Sequence, residues 1–146
     1  MRAFKNRIVI ASVIVCLLFF PLIVYAQIIK TTVADILSNP DRYDGKIVQV
    51  EGKVLSLKFK VSKRGNPYTT FKLRDASGST LTVFSFGALP IKEGDLVRVR
   101  GKYQKVKYVY TKINARGWLH DTYLGESPYV FYNEIDASEG FVERVE

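Results

Sequence analysis

Across residues 45–103 apolar and polar residues alternate in short runs, and turn-forming clusters separate the runs without a helical period intervening. Alternation with a period of two puts successive side chains on opposite faces of a strand, so this stretch can only bury its apolar set as a sheet. The runs fall at 46 to about 60, 68–74, 80–86, 96–103 and about 107–115. Five such strands at short spacing predict an all-β, five-stranded barrel.

The first run carries the strongest detail. Val48, Val50 and Val54 share one parity, whereas Leu55, Leu57 and Phe59 share the other, so the inward face changes between Gly52 and Leu55. A glycine at a change of parity marks a bulge or sharp bend. A small closed barrel needs one there, because its first strand pairs with both halves of the sheet. Phe71 and Leu73, Leu81 and Val83, Val97 and Val99, and Val109 and Ile113 are the expected inward pairs of the later strands. Asp75-Ala76-Ser77-Gly78 is a turn, 62–67 a basic loop, and 87–95 a plain loop too short for an inserted helix.

Ahead of the barrel, residues 31–37 read as a short helix closing one end. Thr31 or Thr32 caps it, Asp35 lies in its first turn, Asn39-Pro40 stops it, and Val33, Ile36 and Leu37 form its apolar face. A turn at 41–45 leads into the first strand. Beyond Gly117 the periodicity weakens: 127–131 suits a short extended segment, and 134–145 suits a marginal acidic helix or a disordered tail, since Gly140 interrupts it. The expected organisation is therefore a segment at 1–26, the barrel at 27–119, and an acidic tail at 120–146.

Residues 8–25 are nearly all apolar and follow Arg2, Lys5 and Arg7. The run suits an export signal cleaved after Ala26, and it also reaches the ~18 residues of a membrane helix, which would leave it as an anchor. In both readings the basic end stays in the cytoplasm and the rest is exported, to the periplasm or the outer face of the cytoplasmic membrane. Cys16, the only cysteine, lies inside this run, so the exported part has neither a disulfide nor a thiolate metal site. With His120 as the only histidine, no metal site is expected.

Charge is segregated along the chain. Residues 27–119 hold 18 Lys/Arg against 7 Asp/Glu, whereas 120–146 hold Arg144 against seven acids. A basic barrel followed by an acidic tail points to a polyanionic partner, with the tail as a tethered competitor for the same surface.

The segments Val50-Glu51-Gly52-Lys53-Val54 and Phe71-Lys72-Leu73-Arg74-Asp75, then Gly78, Leu81, Val83 and the run GDLVRVRGKY from Gly94, carry a family resemblance. They resemble the nucleic-acid-binding OB-fold used as the anticodon-binding domain of class II aminoacyl-tRNA synthetases, over roughly residues 45–115. That resemblance implies a barrel whose outer face binds single-stranded nucleic acid. A second resemblance is architectural. The periplasmic haem chaperone of cytochrome c maturation also combines an N-terminal anchor, one OB barrel, and a histidine followed by aspartate and tyrosine after the last strand. Here His120-Asp121-Thr122-Tyr123 stands after the last expected strand. That likeness implies haem as a cofactor, with His120 and Tyr123 at its site.

Binding a nucleic-acid strand requires cations for phosphates and exposed rings on which bases stack. Lys72, Arg74, Phe84 and Phe86 on the second and third strands meet this need, with Lys58, Lys60, Lys63, Arg64 and Tyr68 around the first loop and Tyr108, Tyr110 and Lys112 on the fifth strand. No nucleophile and base, and no carboxylate pair, are spaced for catalysis. The chain reads as a binding module and not an enzyme, its partner a single-stranded nucleic acid or other polyanion, or else an envelope protein.

Overall fold

The computed structural model describes residues 25–62, 64–109, 112–113, 119–120 and 129–145. Residues 1–24 of the expected signal or anchor, with Cys16, lie outside the described residues, as do Lys63, Tyr110 and Tyr123. A short strand β1 (Ile28–Lys30) is followed by helices α1 (Val33–Ser38) and α2 (Pro40–Tyr43). Strands β2 (Ile47–Val61), β3 (Pro67–Arg74), β4 (Thr80–Phe86) and β5 (Leu96–Val109) come next, then β6 (Lys112–Ile113), β7 (Leu119–His120) and β8 (Tyr129–Arg144).

Helix α1 begins where its cap requires. The Thr32 hydroxyl accepts from the Asp35 amide at 3.1 Å, and Val33 and Ile36 are fully buried. The helix stops at Asn39 (φ −135°, ψ 58°), as expected, but a second short helix takes the place of the turn expected at 41–45. Proline has no N–H to lose in a first turn, so it opens α2 instead. Tyr43 from this turn is buried, and its hydroxyl accepts from Thr31 at 3.1 Å.

The long first strand serves two neighbours, as its change of parity requires. Its first half pairs antiparallel with β5 and its second half with β3, the two meeting at Lys53. The bulge itself lies between Leu55 and Lys58, with Ser56 at φ 52°, and so falls slightly later than the glycine. Both carboxylate oxygens of Glu93 hold it, accepting from the amides of Ser56 at 2.6 Å and Leu57 at 2.9 Å. Gly52 has a different task. A Cβ there would sit 2.5 Å from the Arg74 carbonyl oxygen, so only glycine lets β2 and β3 approach this closely.

The sheet runs β1-β2-β3-β4-β8-β5, and the additional β2–β5 pairing returns it on itself as a barrel-like ring. All pairs around that ring are antiparallel except β4–β8. β1 lies parallel to the start of β2. Val48, Val50, Val54, Phe71, Leu73, Leu81, Val83, Val97 and Val99 fill the interior, which is the inward set read from the alternation.

Two expectations are corrected here. The fourth expected strand and the start of the fifth are one, β5, continuous through residues 104–106, while Lys112 and Ile113 of the expected fifth strand form β6 in a separate pair with β7. Gln104, Lys105 and Val106 include no glycine or proline to turn the chain, and β8 pairs with Gln104 and Val106. The second correction concerns residues 134–145, expected as a helix or a disordered tail. Residues 134–144 lie within β8, which supplies the parallel neighbour of β4 and the antiparallel neighbour of β5. Ile135 and Ala137 enter the core, and Asn133, at φ 52°, accepts from the buried Tyr103 hydroxyl at 2.6 Å. Gly140 does not break the strand; it lies where any Cβ would overlap the Arg100 carbonyl.

Candidate nucleic-acid interface

Cross-strand register sets the candidate face, because residues opposite one another in a ladder share a side of the sheet. Lys60, Tyr68 and Phe86 form one row across β2, β3 and β4, and Lys58, Thr70 and Phe84 the next. Leu55, Lys72 and Thr82 follow, then Lys53, Arg74 and Thr80. Phe71, Leu73, Leu81 and Val83, of the opposite parity, are buried, so these rows form the outer surface.

Within that surface the rings are in contact. Tyr68 and Phe84 lie 5.7 Å apart between centroids, and Phe84 meets Phe86 edge-on at 5.3 Å. Phe86 is 62% exposed, which for a ring of this size leaves a face available to a ligand. Lys58, Lys60, Lys72 and Arg74 are all exposed. None of them forms an ion pair with another described residue; Lys72 donates to the Thr82 hydroxyl at 2.7 Å.

A second basic strip, on β5, differs in this respect. Arg98 bridges Glu51 at 2.8 Å and Glu143 at 2.9 Å, and both partners raise its pKa. Arg100 donates to the Gln49 side chain at 2.9 Å and stacks over Phe141 at 4.5 Å. Glu134, Asp136 and Glu143 of the C-terminal strand thus pair with cations of β5, whereas Lys58, Lys60, Lys72 and Arg74 have no ion pair among the described residues.

The rim of the face on the β8 side is acidic. Glu134 and Asp136 are the register partners of Thr82 and Phe84. Lys107 donates to Glu134 at 2.6 Å and lies 3.5 Å from Asp136, with its ammonium 4.6 Å from the centre of the Phe84 ring. Burial works to raise the Asp136 pKa, but hydrogen bonds from Ser138 and the nearby Lys107 bring it below the ordinary value.

The structure therefore gathers Lys58, Lys60, Tyr68, Lys72, Arg74, Phe84 and Phe86 on one surface. Arg64 is exposed in the turn between β2 and β3. Tyr108 lies opposite Val130 on β5, and Lys112 opposite His120 in the separate β6–β7 pair, so neither belongs to the β2–β4 rows. Lys63, Tyr110 and Tyr123 lie outside the described residues. Lys107, Glu134 and Asp136 were not anticipated. Only the placement of β8 beside β4 brings them to this face, and no local spacing signals it.

No family model matches this chain, and no curated protein does. Among solved structures it is similar to a chain in the crystal structure of yeast Stn1 and Ten1, with 12% sequence identity and a TM-score of 0.51. The similarity covers 84% of this chain and 65% of that one, so this chain spans less than two thirds of its neighbour's length. At such identity the likeness is one of fold. It agrees with the ring order in supporting an OB-type architecture.

Proposed function

We propose that this protein is a binding module that takes a single-stranded nucleic acid, or a polyanion of similar spacing, across the outer face of β2, β3 and β4. The observation that carries this reading is the row arrangement itself: Lys58, Lys60, Lys72 and Arg74, without ion-pair partners among the described residues, border the contacting rings of Tyr68, Phe84 and Phe86. Cations answer phosphates, and a ring answers any base, so such a face binds a strand with little sequence preference. OB barrels bind on the equivalent strands, which gives the OB-type fold its bearing on ligand. With residues 1–26 read as an export signal or anchor, the module works outside the cytoplasmic membrane. Haem carriage through His120 and Tyr123 rests on the sequence alone.

Fluorescence anisotropy with labelled oligothymidylate at low salt tests this reading. Wild type binds, and replacing Lys72, Arg74, Phe84 and Phe86 together abolishes binding while the protein stays folded by circular dichroism. Equal binding by the two proteins would exclude this face.

A further inference from the structure

The three rings of the face are not equivalent. Phe86 is open to solvent, whereas the Lys107 ammonium lies over Phe84 at 4.6 Å, within the range of a cation–π contact. Lys107 comes from β5 and is held where it is by carboxylates of β8: Glu134, only 4% exposed, accepts from it at 2.6 Å, and Asp136 lies at 3.5 Å. A base cannot stack on a ring face that an ammonium already occupies. Nor is Lys107 available to a phosphate while two carboxylates neutralise it.

Building on the proposed strand-binding face, we infer that Lys107, Glu134 and Asp136 form a boundary that ends the ligand's path at β4. They mask Phe84 as a stacking platform and leave Phe86 and Tyr68 to take the bases. A strand then runs along the rows of β2 and β3, whose cations have no ion pair among the described residues, and does not cross onto β8, where Glu134 and Asp136 would repel its phosphates. The acidic residues of the C-terminal strand therefore set the limits of the site as part of the barrel wall, in place of the tethered competition that the acidic composition of 120–146 suggests.

The test is the pair substitution Lys107→Ala with Glu134→Gln. It leaves net charge unchanged and strands no buried charge, so long-range attraction for the oligonucleotide stays as it was. Uncovering Phe84 adds one stacking ring, and since base stacking is worth ~1–3 kcal/mol, affinity for oligothymidylate should rise about 5-fold or more. The slope of log affinity against log salt should not change. A fall or no change in affinity overturns the inference. So does a slope shallower by roughly 0.7, which would identify Lys107 as a phosphate contact in the wild type. Lys107→Ala with Glu134→Leu is a second variant, also neutral in net charge, expected to raise affinity in the same direction if the first pair folds poorly. A wild type that binds no oligonucleotide overturns the proposed function and this inference together. Wild-type binding with the wrong response to the pair substitution overturns the inference alone.

Discussion

The β3–β4 hairpin and the closing strand β8 lie side by side in one sheet, yet sequence announces them very differently. Residues 68–86 alternate cleanly and turn through Asp75-Ala76-Ser77-Gly78, where the Asp75 carboxylate accepts from the amides of Ser77 and Ser79. The turn's own hydrogen bonds and the β3–β4 ladder are local in sequence. β8 instead finds its partners far back in the chain, pairing parallel with β4 and antiparallel with β5. Its alternation is disturbed by Asn133 at positive φ and again where its register with β5 shifts near Gly140. The comparison teaches that strands made by local turns are readable as patterns, whereas a strand selected by the edges left open to it is not.

The sharpest way to break this comparison is through the core. Ile135 is fully buried between β5 and β4 neighbours, so Ile135→Ala should cost about 2–5 kcal/mol of stability in a denaturant titration. If residues 134–145 were a dispensable tail, the same change would leave the unfolding midpoint where it was.

Phe86→Ala tests the other side of the contrast. The ring is largely exposed, so stability should move within about 0.5 kcal/mol, yet oligonucleotide binding should weaken by ~1–3 kcal/mol in the same preparation. A loss of stability without a loss of affinity would make Phe86 a packing residue.

The smallest effect expected is in acid. Burial acts to raise the Asp75 pKa, but hydrogen bonds from Ser77, the Ala34 amide and Ser79 outweigh it and hold the group below its ordinary 3.8. A depressed folded pKa means that the stabilisation is present above the unfolded value and is lost as pH falls through the folded one. Asp75→Asn should therefore flatten the decline of stability below about pH 4, read by thermal unfolding across a pH series. An unaltered acid limb would remove Asp75 from the account.

Much of the ring was legible before any coordinates. The inward residues of β2, β3 and β4 follow from alternation, and of the two caps open for α1, Thr31 and Thr32, it is Thr32 that is used. The bend in β2 was announced by its change of parity, although Gly52 proved to be a point of close approach and the bulge lay at Ser56, held by a carboxylate from Glu93, 37 residues on. Basic and aromatic residues of the face were legible because one hairpin carries most of them. Lys107 and its two carboxylates were not, since acidic composition alone gives no hint that Glu134 will be buried against a lysine of another strand. Charge counted by segment also misled on one point: Glu143 of the acidic segment neutralises Arg98 within the barrel wall and is not left to move about it.

The central claim is a location, so the most direct measurement is one that maps it. Titrating 15N-labelled protein with oligothymidylate and following amide chemical shifts should perturb residues 58–60, 68–74 and 82–86, and leave 96–100 and 140–144 near their free positions. Shifts concentrated on β5 around Arg98 and Arg100, with β3 and β4 unmoved, would contradict the account.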